Sequence, residues 1–306
     1  MFEYSDDFVK IVEVGPRDGL QNEKEVLKLA EKLEYIRLLS LSGLKTIEAT
    51  SFVRPDRIPQ MADATELFKR VRSLPDFDNI SFPCLVPNLK GYELAKDVGV
   101  KEISLFSATS DEFTKKNINC TVDESFERMA EVATQASQDG IKIRAYISTA
   151  FGCPYAGHMG SEKLIKVIEQ FLKLGVYEIS IGDTIGVATP KQVYQSILAI
   201  KSVVGLDKIA MHFHDTRGMA LANILVSLDQ GVRVFDSSSG GLGGCPYAKG
   251  ATGNVATEEV LYLLNSLGLK TNIEEEKIFQ ASKYILEKVK KDSPSKYFQV
   301  LKSKKS

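Results

Sequence analysis

Apolar and polar positions alternate in a regular pattern along almost the whole chain. Short, largely apolar runs rich in β-branched residues are each followed by a segment with helical spacing, which is typical of parallel strands covered on both faces. The strand-like runs are VKIVEV, TIEATSF, ISFPCLV, EISLFSAT, KIRAYIST, YEISIGDT, IAMHFHDT and VFDSSSGG. The helical segments that follow them are residues 24–43, 62–73, 91–98, 123–139, 161–174, 190–203, 219–230 and 254–267.

Eight such units without a linker rich in Pro, Ser or charge predict an α/β fold, a (β/α)8 TIM barrel. An open doubly wound sheet is the alternative, but it usually has fewer strands and often a GxGxxG first turn, whereas this turn reads GPRDGLQ. We expect a single domain over residues 1–306, with the barrel in 8–268. Residues 269–306 are predicted to form a C-terminal extension with one additional helix and a frayed basic end.

Composition narrows the class of protein. The chain has 306 residues, 43% hydrophobic and 26% charged, with a formal net charge of -1, as in a soluble globular protein. This balance argues against a nucleic-acid binder that neutralises phosphates, and no membrane span is visible. The N-terminus is acidic and lacks a basic region followed by an apolar run, so we expect a cytoplasmic protein. The four cysteines form no CxxC pair and are interpreted as reduced thiols.

Polar residues with chemical potential fall where the strands of a barrel end. Arg17 and Asp18 follow the first strand, Glu48 and Ser51 end the second, and Asp183 ends the sixth. Active sites of such barrels lie at the carboxyl ends of the strands and in the loops that follow. The sequence therefore predicts a site at this end of the barrel.

The HFHD sequence in the seventh strand is the sharpest local signal. His212 and His214 are two positions apart, so both imidazoles point to the same face of the strand. With Asp18 and the side-chain oxygen of Asn254 they would form a mixed nitrogen and oxygen site suited to Mg²⁺ or Mn²⁺. The alternative is that one histidine is a hydrogen-bonded core residue.

Two further side chains have both a structural and a chemical interpretation. Arg17 beside Asp18 is either an ion pair that stabilises the first turn or a fixed guanidinium that holds an oxygen gaining negative charge. Cys245 lies between glycines and a proline in a long loop, where it is either inert or a thiol that exchanges a proton with a substrate. Glycines also give this loop the freedom to fold over a site.

Several segments together resemble the hydroxymethylglutaryl-CoA lyases, over residues 12–267. RDGLQ, GDT and HFHDTRGMALAN resemble a wider superfamily of metal-dependent lyases and acyl-CoA condensing enzymes on TIM barrels. The more selective segment is GLGGCPYAKGATGN, whose cysteine resembles the catalytic thiol of the lyases. The other matching segments are VGPRDGLQNE, IEATSF, FTKKNINC and GDTIGVATP.

The resemblance implies a role for each matching position. It implies a divalent cation, Mg²⁺ or Mn²⁺, bound by Asp18, His212, His214 and Asn254. It also implies that Arg17 contacts the substrate thioester, that Cys245 takes part in acid/base chemistry, and that the protein is a homodimer. The remaining expected site residues are Glu48 and Asp183 near the metal, and Gln21, Lys24 and Glu48 with Arg17 at the substrate.

The reaction implied is cleavage of (S)-3-hydroxy-3-methylglutaryl-CoA to acetyl-CoA and acetoacetate by a metal-assisted retro-Claisen step. Either Asp18 or His212 would act as the base, and the sequence does not choose between them. Lys24, Lys115 and Lys116 could each reach a CoA phosphate, although solvated surface charge is the usual role of a single lysine.

Two other functions are compatible with this superfamily. One is a condensing enzyme, such as an isopropylmalate or citramalate synthase, which usually has additional regions after the barrel. The other is a barrel that binds metal or CoA without catalysis. The charged and thiol groups at several strand ends argue against the second, because unpaired polar groups in a closed cavity cost stability.

Overall fold

The barrel is built from eight strands and its described residues include eleven α-helices. The structure is a computed structural model that describes residues 7–75, 77–244 and 253–304. The barrel strands are β1 (Lys10–Glu13), β2 (Thr50–Ser51), β3 (Cys84–Leu85), β4 (Glu102–Ala108), β5 (Lys142–Ser148), β6 (Glu178–Asp183), β7 (Ile209–Phe213) and β8 (Val234–Ser237). The helices are α1 (Leu29–Ser40), α2 (Ala64–Val71), α3 (Leu89–Asp97), α4 (Asp111–Ile118), α5 (Val122–Gln138), α6 (Ser161–Lys173), α7 (Pro190–Lys201), α8 (Ala220–Asp229), α9 (Thr257–Ser266), α10 (Glu275–Val289) and α11 (Lys296–Ser303).

The strands form one parallel sheet in the order β1, β8, β7, β6, β5, β4, β3, β2. A parallel bridge between Glu13 and Ile47 joins β1 to the segment before β2 and closes the sheet. The amide of Glu48 donates to the carbonyl of Glu13 at 2.8 Å across this seam. The predicted (β/α)8 barrel is therefore confirmed, and the carboxyl ends of its strands meet at one mouth.

Two regions differ from the sequence prediction. The segment DEFTKKNI after β4 was not among the predicted helices, but it forms α4, which begins after Ser110, whose hydroxyl accepts from the amide of Phe113. The C-terminal extension contains two helices, α10 and α11, where one helix and a frayed end were expected. Helix α11 is docked because Phe298 and Leu301 are buried and Ser295 caps its first turn.

The interior of the barrel contains charged side chains as well as apolar ones. Arg144 on β5 is fully buried, and its Nε donates to Glu178 Oε1 at 2.7 Å. Its Nη2 donates to Asp236 Oδ1 at 2.7 Å, and Ser180 also donates to that carboxylate. Arg144, Glu178 and Asp236 thus each have a partner of opposite charge, which offsets the large cost of burying an isolated charge. These contacts connect the middle of the barrel to its mouth.

None of the helices in the described ranges has the length and apolar content that crossing a bilayer requires.

Candidate active site

Arg17 and Asp18 lie on a short π-helical turn, Gly15–Gly19, that follows β1 directly. Arg17 Nε donates to Glu48 Oε2 and its Nη1 to Asp18 Oδ1, both at 2.7 Å. The guanidinium carbon lies 5.1 Å from the centre of the Tyr146 ring. Burial alone would lower the pKa of Arg17, but the charges of Glu48 and Asp18 outweigh it and raise the pKa. The guanidinium is therefore fixed and permanently charged.

The Arg17 guanidinium uses two of its three nitrogens in hydrogen bonds to described residues. The ion pairs use Nε and Nη1, and Nη2 donates no hydrogen bond to any residue in the described part of the chain. The ion pairs hold the side chain in place, as the structural interpretation of Arg17 expects, and its role toward a substrate oxygen stays a prediction.

The Glu13 carboxylate stabilises this turn through hydrogen bonds, and the sequence analysis did not select this residue. Its Oε1 accepts from the amides of Gly15 and Ser239, both at 2.9 Å, and its Oε2 accepts from Thr257 Oγ1 at 2.7 Å. A Cβ at position 15 would collide with the Tyr35 hydroxyl and the Glu13 carboxylate, so a side chain there would force these two groups to move. Burial raises the pKa of Glu13 to about 8. The signal in the sequence was an acidic residue inside an apolar strand.

His212 and His214 meet Asp18 at the barrel mouth. One potential ligand atom from each of the three residues lies within 4.8 Å of the others. His212 Nε2 lies 4.0 Å from Asp18 Oδ2, on the side of the ring opposite its bond to Asp236. The same-face prediction for the two histidines is consistent with this geometry, since their ring centres are 5.2 Å apart.

Asp236 fixes the orientation of His212. Its Oδ2 lies 3.2 Å from His212 Nδ1, so the proton of that ring is held on Nδ1 and Nε2 points toward Asp18. Burial would raise the pKa of Asp236, but the Arg144 and His212 charges outweigh it and lower the pKa. Sequence reasoning did not select Asp236, although an aspartate in the apolar run VFDS was a usable signal.

Asn254 reaches the site because residues 253–255 run beside the end of β7. Asn254 forms an antiparallel bridge with His214, and the amide of Val255 donates to the carbonyl of Phe213 at 3.1 Å. Asn254 Nδ2 donates to Asp18 Oδ2 at 2.9 Å and to the carbonyl of Leu242 at 3.1 Å. With the nitrogen committed to two acceptors, the side-chain oxygen is the atom that remains as a ligand.

The donor chemistry of this cluster fits a divalent cation. His214 Nδ1 is buried and has no hydrogen-bond partner within the described ranges. Burial, together with the neighbouring His212, lowers the pKa of His214 to about 4, so its ring is neutral and offers a lone pair. Burial would raise the pKa of Asp18, but Arg17 and the two histidines lower it, which keeps this carboxylate ionised. Two imidazoles with carboxylate and amide oxygens suit Mg²⁺ or Mn²⁺.

The other predicted site residues have varied positions. Glu48 is buried and bonded to Arg17, and Gln21 Nε2 donates to Asp18 Oδ1 at 3.2 Å. Lys24 is exposed in the loop after the π-helical turn. Lys115 and Lys116 are exposed on α4, and Lys116 lies over the Tyr155 ring at 4.1 Å. Cys245 lies outside the described residues.

Asp183 ends β6, as predicted, but its carboxylate is bonded within its own loop. It accepts from the amides of Val187 and Ala188 at 2.9 and 3.0 Å, and burial raises its pKa to about 6.

Asn223 on α8 donates to the carbonyl of Ala188 at 3.0 Å, and Arg217 donates to the carbonyls of Ile185 and Gly186. Hydrogen bonds thus connect the GDTIGVATP and HDTRGMALAN segments at the barrel mouth.

Comparison with known proteins gives consistent matches. Two relatives are named "Hydroxymethylglutaryl-CoA lyase, mitochondrial". The one from Arabidopsis thaliana is 49% identical, over 94% of this chain and 61% of that protein. The one from Gallus gallus is 48% identical, over 95% of this chain and 97% of that protein. The crystal structure of hydroxymethylglutaryl-CoA lyase from Pseudomonas aeruginosa is 46% identical with a TM-score of 0.94, covering 97% of this chain and 98% of that one.

A further similar structure contains ligands. It is an HMG-CoA lyase from Acinetobacter baumannii in complex with coenzyme A and 3-methylmalate, 34% identical with a TM-score of 0.90, covering 96% of this chain and 95% of that one. The family model HMGL-like matches residues 8–285, which include the whole barrel and part of the extension. The chain therefore belongs to the HMGL-like family.

Proposed function

We propose that this protein is a carbon-carbon lyase that cleaves 3-hydroxy-3-methylglutaryl-CoA to acetyl-CoA and acetoacetate. The observation that carries the proposal is the position of the Arg17 guanidinium beside the Asp18, His212 and His214 cluster at one barrel mouth. This arrangement can hold an acyl-CoA with its hydroxyl at the cluster and its thioester oxygen at Arg17. The names of the relatives and the coenzyme A in one similar structure support the same substrate class.

We assign the metal ligands to Asp18, His212, His214 and the side-chain oxygen of Asn254. A bound Mg²⁺ or Mn²⁺ would supply Lewis-acid polarisation, which makes the tertiary hydroxyl of the substrate easier to deprotonate. The protein orients these groups through Asp236, which holds His212, and through Leu242, which accepts from Asn254.

The chain's own residues then carry out the proton and charge transfers. Asp18 accepts the hydroxyl proton, because His212 Nδ1 is held by Asp236 and its Nε2 is assigned to the cation. The deprotonated oxygen becomes the ketone of acetoacetate as the C2–C3 bond breaks. The electron pair of that bond moves onto C2, so the acetyl-CoA fragment leaves as an enolate. Arg17 Nη2 donates to the enolate oxygen, where the new charge is largest. Cys245, which follows β8 in the sequence, returns a proton to C2.

The decisive assay is production of acetoacetate from 3-hydroxy-3-methylglutaryl-CoA by purified protein, before and after EDTA treatment and after Mg²⁺ or Mn²⁺ is restored. We expect turnover that is lost with EDTA and recovered with metal. Absence of turnover under every metal condition would overturn the lyase proposal. Acetyl-CoA with α-keto acids is the parallel assay, and product formation there would favour the condensing enzyme. The homodimer stays a prediction, tested by light scattering.

A further inference from the structure

Three successive carbonyl groups at the start of the glycine-rich segment accept hydrogen bonds from side chains of three different regions. The carbonyl of Leu242 accepts from Asn254 Nδ2 at 3.1 Å, and that of Gly243 accepts from Lys291 Nζ at 3.2 Å. The carbonyl of Gly244 accepts from Asn22 Nδ2 at 3.2 Å. We call residues 242–244 the carbonyl strap. It is the point where the barrel mouth, the loop after β1 and the C-terminal extension meet.

The extension contacts the strap through the turn between α10 and α11. Helix α10 is followed by Lys290 in the left-handed conformation, with φ 53°, and this reverses the chain so that Lys291 reaches Gly243. The Lys291 ammonium also donates to Glu23 Oε1 at 2.8 Å. Ser293 Oγ donates to the carbonyl of Gly240 at 2.8 Å, just before the strap. The turn is therefore bonded to the strap and to both neighbouring segments.

A displacement of the strap would act on Asn254 directly. The Asn254 amide nitrogen has two acceptors, Asp18 and Leu242, and together they determine which way its oxygen points. Packing here is close, because a Cβ placed on Gly243 would lie 2.7 Å from Asn254 Nδ2. Loss of the bond between Lys291 and Gly243 would release the centre of the strap and loosen the orientation of this amide.

We propose that Lys291 is a positioning residue for the cation site, so that the C-terminal extension forms part of the machinery at the barrel mouth. Lys291 acts through Gly243 and Leu242 on Asn254, and it touches neither the cation nor the substrate. This inference rests on the proposed metal site.

The test compares Mn²⁺ affinity, measured by electron paramagnetic resonance of the full-length protein, in three variants. Lys291→Met removes the donor and should raise the Mn²⁺ Kd about 3- to 10-fold, less than the roughly 10- to 100-fold typical of groups that contact a ligand directly. Lys291→Arg keeps a charged donor and should restore most of the affinity. The matched control is Lys288→Met, because Lys288 lies on α10 and pairs with Glu31, 3.6 Å away on α1. It should leave the Kd unchanged.

Each outcome distinguishes this inference from the metal site on which it rests. Absence of Mn²⁺ binding in the wild-type protein would overturn the metal site and the inference together. Normal wild-type binding with an unchanged Kd in Lys291→Met would overturn the inference alone. An equal rise in the Kd of Lys288→Met would also overturn it, since the effect would then be a general one. If Lys291→Met does not fold, Lys291→Gln replaces it as the test, because the shorter side chain places its donor short of the Gly243 carbonyl. Its Kd should also rise, and a wild-type Kd in a thermally stable Gln variant would overturn the inference.

Discussion

His212 Nδ1 lies 3.2 Å from Asp236 Oδ2, and that carboxylate is bonded at the same time to Arg144 on β5, three strands away in the barrel. Asp236→Asn should lower Mn²⁺ affinity by about 10- to 100-fold, because an amide holds the imidazole and its tautomer less firmly than a carboxylate does. Calorimetric titration with Mn²⁺ measures this directly. Ser180→Ala is the control, since it removes another donor to Asp236 and leaves His212 in place. Equal affinities in wild type and Asp236→Asn would show that Asp236 does not position the ligand.

The chain contains three histidines, which provides a matched set for testing the cation site. His212→Ala and His214→Ala should each weaken Mn²⁺ binding, because each removes a nitrogen ligand from a cluster of few donors. His158→Ala removes an exposed histidine in the hairpin after β5, bonded to Gln192, and should bind Mn²⁺ as the wild type does. Wild-type affinity in either of the first two variants would require a different ligand set. The measurement is Mn²⁺ titration of the purified proteins.

Arg17→Met tests the charge at the thioester oxygen. The variant should lose roughly 3 kcal/mol or more of transition-state stabilisation, seen as a fall of at least about a hundredfold in kcat/KM, because the enolate oxygen loses its donor. Arg54→Met, which removes an exposed arginine paired with Asp56, should retain wild-type kinetics. Steady-state assay of acetoacetate formation gives both values. Near-normal turnover in Arg17→Met would remove Arg17 from this role.

The raised pKa of Glu13 predicts that the free energy of unfolding depends on pH. Its pKa is raised from 4.5 to about 8, so between these values the folded protein holds a proton that the unfolded chain releases. Stability from this group is therefore complete below pH 4.5 and is lost as the pH rises toward 8, at up to about 1.4 kcal/mol per pH unit. The titratable groups that face it are Tyr35 and Glu258, and burial raises the pKa of Glu258 to about 7.

Glu13→Gln isolates this effect. The glutamine keeps an oxygen for the amides of Gly15 and Ser239 and can donate to Thr257, as the protonated acid does, but it cannot ionise. Denaturant unfolding at several pH values measures the free energy of unfolding of both proteins. The difference between them should shift in favour of Glu13→Gln as the pH rises from 5 to 8. Glu66→Gln, on the exposed side of α2, is the control, and its free energy of unfolding should depend on pH as that of the wild type does. Parallel curves for wild type and Glu13→Gln would contradict the raised pKa.

Features that depend on neighbouring positions in the chain could be predicted from the amino-acid sequence. Apolar runs and helical spacing identified the barrel, because burial on both faces of a strand leaves a local pattern. The two histidines of β7 could be placed on one face since side chains alternate along a strand. Arg17, Asp18 and Glu48 were predicted at the barrel mouth because they end or follow a strand, and the carboxyl ends of the strands meet there.

Tertiary structure alone decided which distant residues meet. Asn254 lies beside His214 because residues 253–255 pair with the end of β7, and Asp236 lies behind His212 because β7 and β8 are adjacent in register. The contact between Lys291 and Gly243 depends on where the extension docks. None of these follows from local periodicity, because barrel closure and strand register bring together residues whose separation along the chain carries no pattern.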